Sequence, residues 1–91
     1  MIYIHLRQEV EDFARWEQAF NSVASARKAA GATGEAYVMR SVADPNEVTV
    51  ILEWNDLDSA TAYMKSATLT DARQRGGVIG TPELRFLSPA G

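Results

Sequence analysis

The chain has 91 residues, enough for one small domain, and 46% of them are hydrophobic, which argues against a disordered protein. The formal net charge is -3, with charges of both signs spread along the chain, so neither nucleic acid nor an anionic membrane is an expected partner. There is no cysteine and only one histidine, His5, which excludes a disulfide framework and a zinc site built from His and Cys.

The N-terminal sequence MIYIHLRQ predicts a first strand over residues 2–8, with Ile2, Ile4 and Leu6 on one face. It lacks the basic start and the long apolar stretch of a signal peptide. No segment of the sequence is long and apolar enough to span a bilayer, so we expect a soluble cytoplasmic protein.

A first helix is predicted over residues 13–30. Asp12 is a suitable N-cap, and Gly31 stands where a left-handed residue would end the helix. Side chains at helical spacing form one stripe along it, made of Phe13, Trp16, Phe20, Val23, Ala24 and Arg27.

A hairpin follows, with strands predicted over residues 35–43 and 48–55 and a type I turn at Asp44-Pro45-Asn46-Glu47. The register of this hairpin is open. A two-residue loop sets Arg40 opposite Ile51, whereas a three-residue loop with a bulge sets it opposite the next residue. The two choices put Arg40 on different faces of the sheet.

The last third of the chain predicts a second helix over residues 57–66 and a further helical segment over residues 69–75. Gly76-Gly77 ends this helix, and a fourth strand is expected over residues 82–87. The segment GGVIG has no lysine and no following helix, so it is interpreted as a turn and not as a phosphate-binding loop.

The predicted order is β-α-β-β-α-β with a broken second helix, in a single domain over residues 1–91. This is an α+β, ferredoxin-like arrangement. Right-handed crossovers place the third strand between the first and second, and the fourth strand outside the first. Both helices then cover one face of a four-stranded antiparallel sheet.

The other face of that sheet is expected to be too apolar for open water and too polar for a dry core. We therefore expect a homodimer packed sheet to sheet. Depending on the hairpin register, the face carries Tyr37 and Met39, or Val38 and Arg40. Its other residues are Tyr3, His5, Arg7, Thr49, Ile51, Glu53, Arg85 and Leu87.

Three segments carry a family resemblance: VEDFARWEQAF in the first helix, RSVADPNEVTVILEWND through the hairpin, and GGVIGTPELRFL at the end. With them the chain resembles the dimeric α/β-barrel superfamily. It is similar there to small proteins grouped with antibiotic biosynthesis monooxygenases and polyketide cyclase-like proteins. The resemblance implies a homodimer whose sheets form a barrel, with a cleft between sheet and helices in each protomer.

The resemblance also implies a chemistry. Monooxygenase relatives oxidise polycyclic phenols without metal or flavin, using a tryptophan on the third strand with polar partners such as asparagine and arginine. Trp54 matches that tryptophan, Arg85 is a candidate for the arginine, and no asparagine on the first helix clearly matches. Haem-degrading relatives use a helical histidine, which this chain lacks, so we expect no haem. With no cysteine, one histidine and neither a Walker loop nor a dinucleotide fingerprint, we expect no flavin or metal cofactor either.

The candidate site residues have structural alternatives. Trp54, Trp16 and Tyr63 either pack the core or line a cleft suited to a planar ligand. His5 either pairs with Glu53 at an interface or acts as a general base. The arginines Arg40, Arg7 and Arg85 either hold a substrate oxygen or form ion pairs of the dimer.

Three hypotheses about function remain open at this stage. The first is a cofactor-free monooxygenase or cyclase acting on an aromatic or polyketide-like molecule, with His5 and Arg85 as catalytic candidates. The second is a non-catalytic dimeric module that binds a small hydrophobic ligand or only assembles, and the third is an isomerase of lactone-type substrates. Alternation along the third strand further predicts that Trp54 points toward the helices and Glu53 toward the opposite face.

Overall fold

The computed structural model describes residues 1–91 as one four-stranded antiparallel sheet with helices packed on one face. The strands are β1 (Ile2–Val10), β2 (Ala32–Arg40), β3 (Glu47–Trp54) and β4 (Val78–Leu87). The helices are α1 (Phe13–Ser22), α2 (Ala24–Ala30), α3 (Leu57–Met64) and α4 (Ala67–Gly76). The strand order β2-β3-β1-β4 confirms the predicted ferredoxin-like topology. No helix combines the length and the apolar character needed to cross a bilayer.

The core lies between the sheet and the helices. Along β3 burial alternates strictly, so that Val50 and Trp54 are buried while Ile51 and Glu53 are only half-buried on the other face. This confirms the predicted opposite orientations of Trp54 and Glu53. The ten residues of the main core cluster are Ile4, Leu6, Val10, Trp16, Val48, Val50, Leu52, Trp54, Ala60 and Tyr63.

The predicted single helix over residues 13–30 is wrong, because the backbone leaves helical geometry at Val23 (φ -107°, ψ 16°). The start at Asp12 is confirmed, since its side chain accepts a hydrogen bond from the Arg15 amide at 3.0 Å. Near the break, the Ser22 hydroxyl donates to the Ala19 carbonyl at 2.7 Å. Such a side-chain bond to the preceding turn competes with the backbone ladder and bends helices.

Both predicted hairpin registers are wrong. Arg40 pairs with Val48, which places it on the helix-covered face, and Tyr37 and Met39 take the open face. The predicted turn exists, because the Glu47 amide donates to the Asp44 carbonyl at 3.0 Å, but it lies inside a longer loop over residues 41–46. The side chains of Ser41 and Asp44 accept hydrogen bonds from backbone amides of the loop. These bonds hold the loop in place.

Two strands begin earlier than expected because glycines are accommodated within them. β2 starts directly after Gly31 and passes an irregularity near Gly34, whose φ is 104°. The interpretation of GGVIG as a turn is confirmed only at Gly77 and is wrong for the last three residues, which lie in β4. Gly77 caps α4 in the left-handed conformation, and β4 starts at the next residue, Val78.

Candidate functional site

A cavity of about 40 Å³ lies between the sheet and all four helices. Its volume is enough for roughly three water molecules. Most of its lining is apolar, and no carboxylate or histidine contributes to it. The lining residues are Leu6, Gln8, Trp16, Phe20, Val23, Arg27, Val50, Leu52, Tyr63, Met64, Leu69, Ala72 and Arg73.

Aromatic rings form one wall of the cavity. Trp16 and Phe20, one turn apart on α1, stack with ring centroids 4.9 Å apart and an interplanar angle of 19°. Phe13 continues this row, with its centroid 5.7 Å from that of Trp16. Tyr63 of α3 also lines the cavity, so a flat apolar ligand would meet aromatic surface from two helices.

Arg27 is the most unusual lining residue, because a charged residue that is only 8% exposed sits among mostly apolar side chains. Its Nη1 donates to the Phe20 carbonyl at 2.6 Å, and its guanidinium carbon lies 3.8 Å from the centroid of the Phe20 ring. No carboxylate forms an ion pair with it. Burial lowers the pKa of Arg27, and the nearby Tyr63 opposes this shift.

Three further polar groups line the same cavity. Arg73 of α4 has a buried Nε without a hydrogen-bond partner, and the buried hydroxyl of Tyr63 has none either. Burial lowers the pKa of Arg73 and raises that of Tyr63, while both arginines act on Tyr63 in the opposite direction. Gln8, which is 7% exposed, completes the set from β1. The cavity surface is therefore mainly apolar, and two arginines, a tyrosine and a glutamine are among the residues around it.

A second space, a groove of about 240 Å³, lies between α2 and β2. Arg27 and Leu52 line both the groove and the cavity. The groove floor is made of small side chains, among them Ala24, Ala32 and Ala36. The cavity and the groove are therefore adjacent.

The predicted aromatic site residues separate into two groups. Trp16 and Tyr63 line the cavity. Trp54 does not, since its ring is 0% exposed and lies behind Tyr63, with ring centroids 5.1 Å apart. Of the two alternatives for Trp54, the structure therefore favours core packing over direct lining of the cleft.

His5 and Arg85, the catalytic candidates, lie opposite each other on the open face of the sheet and not in the cavity. The sequence leaves open whether His5 pairs with Glu53; in the sheet His5 lies opposite Ile51, and Tyr3 lies opposite Glu53. Glu53 instead accepts hydrogen bonds from the Tyr3 hydroxyl at 3.0 Å and the Thr33 hydroxyl at 2.9 Å. The bond to Glu53 raises the pKa of Tyr3.

Arg40 is also outside the cavity, at the loop end of the hairpin. Its guanidinium carbon lies 4.1 Å from the centroid of the Phe13 ring, and its Nε donates to the Pro45 carbonyl at 2.8 Å. These contacts hold the loop against α1. Across the chain, no three His, Cys, Asp or Glu side chains are grouped so that they could share a metal ion.

Sequence reasoning missed Arg27, Arg73 and Gln8 as site residues. A signal existed for two of them. Arg27 interrupts an apolar stripe one turn after Val23, and Gln8 follows Ile4 and Leu6 on the buried face of β1. A charged or amide group at such a core position needs a partner, which makes it a candidate for ligand contact.

Comparisons with known proteins place these features in a family. Residues 1–75 match the antibiotic biosynthesis monooxygenase family. Among curated proteins, no sequence matches the chain.

Solved structures share the fold at low sequence identity. A protein from Bordetella bronchiseptica, provisionally named an antibiotic biosynthesis monooxygenase, superposes with a TM-score of 0.82 at 17% identity, over 98% of this chain and 96% of its own. A similarly named protein from Caulobacter crescentus gives 0.77 at 18% identity, over 99% and 90% of the two chains.

The third structure is SnoaB from Streptomyces nogalater, described as a cofactor-independent oxygenase. It gives a TM-score of 0.75 at 18% identity, over 99% of this chain and 93% of its own. At this identity the superpositions support the fold, while the family match extends over most of the sequence. The chain therefore belongs to the antibiotic biosynthesis monooxygenase family.

Proposed function

We propose that this protein is a cofactor-free oxygenase of a small aromatic or polyketide-like molecule, and that the cavity between helices and sheet binds its substrate. The observation that carries the proposal is the set of aromatic rings, Trp16, Phe20 and Tyr63, that line a mainly apolar cavity. Family membership and the fold shared with a cofactor-independent oxygenase support it. A cyclase acting on the same class of molecule would use the same cavity.

The chemistry needs no added reductant. A phenol with a hydrogen para to its hydroxyl reacts with one O₂ to give a quinone and one water, so the substrate supplies all the electrons. Electron transfer to O₂ starts from the phenolate, and the cavity has no carboxylate or histidine to remove the proton. We infer that electrostatic attraction to Arg27 and Arg73 favours the phenolate, and that its proton passes to solvent water.

A cavity volume of about 40 Å³ is too small for a fused ring system. We infer that the anionic edge of the substrate enters the cavity while its rings extend into the adjoining groove of about 240 Å³. Arg27, which lines both spaces, would move to admit the substrate and then contact it.

Oxygen consumption tests the proposal. The protein is mixed with a panel of two- and three-ring phenols, including 1-naphthol and anthrone, and O₂ uptake is followed by electrode. With ¹⁸O₂, one labelled atom should appear in the quinone and one in water. If a cyclised or isomerised product forms without O₂ uptake, the protein is a cyclase or a lactone isomerase and not an oxygenase. Ligand binding without any product would favour the non-catalytic module.

A matched pair of variants links turnover to the cavity. Ala72 lines the cavity on α4, and Ala67 is exposed on the same helix. Ala72→Leu fills the space and should abolish or strongly reduce turnover, whereas Ala67→Leu should leave it unchanged. Equal turnover in both variants would show that the reaction does not take place in the cavity.

We also propose that the protein is a homodimer through the open face of the sheet. Tyr37, Met39 and Leu87 on this face are each about half exposed, which is a substantial apolar surface for a small chain. Arg7, between Glu47 and Glu83, supplies polar contacts suited to an interface.

Light scattering at micromolar concentration should give about twice the chain mass of 10.0 kDa. Met39→Glu should shift the protein toward the monomer, because it places a charge in the apolar part of that face. Val42→Glu, in the exposed hairpin loop, is the matched control. A wild-type protein that stays monomeric while folded would overturn the dimer.

A further inference from the structure

We propose that Arg85 makes a contact across the homodimer, in which its guanidinium lies on the ring of Tyr37 of the partner subunit and pairs with Glu35 of the partner subunit. This contact rests on the homodimer proposed above. It goes beyond that proposal because it assigns the direction of the two-fold axis and the residues that meet. It also gives Arg85 a role in assembly and not in catalysis.

One row of side chains crosses the open face of the sheet from edge to edge. The strand register joins Tyr37 to Ile51, Ile51 to His5, and His5 to Arg85. Tyr37 belongs to β2 and Arg85 to β4, which are the two outer strands. The row therefore has an aromatic ring at one edge of the sheet and a guanidinium at the other.

Arg85 is the cation of this face that has no carboxylate partner. Its side chain is exposed, and none of the four ion pairs of the chain uses it. The other arginine of the face, Arg7, is held between Glu47 and Glu83. A second copy packed on this face would take Arg85 out of water, and a buried charge without a partner is costly. Its partner must then come from the other subunit.

The opposite edge of the face offers suitable groups. Tyr37 is 55% exposed, and its hydroxyl donates to the Glu35 carboxylate at 3.4 Å. No ion pair uses Glu35. A guanidinium stacks on aromatic rings and pairs with carboxylates, so the two groups together suit an arginine. Glu9, another carboxylate outside the ion pairs, lies four residues beyond His5 along β1, roughly 13 Å away.

Symmetry decides which edges meet. Sheets packed face to face commonly keep their strands within about 30° of each other, so a two-fold axis between them runs nearly along the strands or nearly across them. An axis along the strands sets β2 of one subunit over β4 of the other and keeps each row at its own level. Tyr37 then faces Arg85 of the partner subunit, with Glu35 beside it.

An axis across the strands would instead set each outer strand over its own copy. Arg85 would then face Arg85 of the partner subunit, and like charges brought together at an interface are unfavourable. The distribution of charge on the open face therefore favours the axis along the strands.

The test measures the dissociation constant of the dimer by analytical ultracentrifugation. Arg85→Gln should raise it at least about tenfold, because the Glu35 carboxylate loses its partner in the interface. The control is Arg75→Gln on α4, where Arg75 pairs with Asp71 on the helix side of the sheet, and it should leave the constant unchanged. An unchanged constant in Arg85→Gln would overturn the contact. A tighter dimer would show that the arginines face each other.

Exchange of the two charges identifies the partner of Arg85. Arg85→Glu and Glu35→Arg should each weaken the dimer, because each sets like charges against each other. The double variant restores opposite charges and should recover most of the wild-type affinity. If it is no stronger than the single variants, Glu35 is not the partner. Both residues are exposed, so far-UV circular dichroism should show an unchanged fold in every variant.

These outcomes separate the contact from the homodimer itself. If the folded wild-type protein is monomeric at all concentrations, the homodimer fails and the contact fails with it. If the wild type is a dimer and the Arg85 variants associate equally well, the homodimer stands and the contact alone is wrong.

Discussion

The ring of Trp54 packs at a tilt against the ring of Tyr63, and this contact lies between the buried core and the cavity. The ring centroids are 5.1 Å apart at an interplanar angle of 35°. Trp54 on one side is enclosed by the core, whereas Tyr63 on the other borders the cavity. Two neighbouring rings, from β3 and α3, therefore have different surroundings: one lies wholly in the core and the other also lines the cavity.

Trp54→Ala should lower the free energy of unfolding by roughly 3–5 kcal/mol, as other large-to-small changes in cores do. The ring is fully buried, so the change leaves a void under Tyr63. Urea denaturation measures the effect. Val42→Ala, at a fully exposed side chain, should change stability by less than about 0.5 kcal/mol. A small effect at Trp54 would mean that the ring is not packed as described.

Gly31→Ala should be more destabilising than Gly34→Ala. Both glycines have positive φ, 129° and 104°, so each substitution carries a conformational cost of about 1–2 kcal/mol. A Cβ at Gly31 would also lie 2.6 Å from Trp54 Nε1, whereas one at Gly34 meets nothing within 4 Å. This steric contact should add about 1–3 kcal/mol to the destabilisation caused by Gly31→Ala. Equal thermal shifts for the two variants would show that the space around Trp54 relaxes freely.

Tyr63→Phe should leave the free energy of unfolding unchanged or raise it by up to about 1 kcal/mol in the absence of ligand, because the lost hydroxyl is buried without a partner. Tyr3→Phe is the contrasting case, since that hydroxyl donates to Glu53, and its loss should destabilise the protein. A clear loss of stability in Tyr63→Phe would reveal a partner for the hydroxyl.

Asp56 should make stability depend on pH below its ordinary pKa of 3.8. Its carboxylate accepts from the Ser59 amide at 2.8 Å at the start of α3, and these bonds lower its pKa in the folded state. A lowered carboxyl pKa contributes stability that is present above the unfolded value and is lost as pH falls through the folded one. Asp56→Asn should therefore be less stable than wild type at pH 7, with the difference shrinking toward pH 2. If the difference in stability between the variant and wild type does not depend on pH, the charge of Asp56 does not contribute to stability.

Local patterns predicted the fold well where periodicity was unbroken. The alternation of β3 placed Trp54 and Glu53 on opposite faces, and Asp12 marked the start of α1. The break at Val23 could not be predicted, because neither glycine nor proline marks it and the apolar stripe continues across it. The hairpin register was also inaccessible, since side chains within the loop stabilise a connection longer than the turn signal suggests.

The candidate site was predicted only in part. Trp16 and Tyr63 line the cavity, but their pattern alone did not distinguish lining from packing. Arg27 and Arg73 lie on different helices, and only the tertiary arrangement of α2 and α4 brings them to one cavity. His5 drew attention because it is the only histidine, yet the pleat of β1 directs it to the opposite face.

The strict alternation of β3 also limits how the chain can change in length. One residue inserted between Val50 and Trp54 would exchange the faces of all that follow, turning the Glu53 carboxylate inward and the indole outward. An insertion at Ala43, in the exposed loop before β3, leaves the pairing of Arg40 with Val48 intact. Insertions and deletions in homologous sequences should therefore gather in that loop and avoid β3, even where individual side chains vary freely.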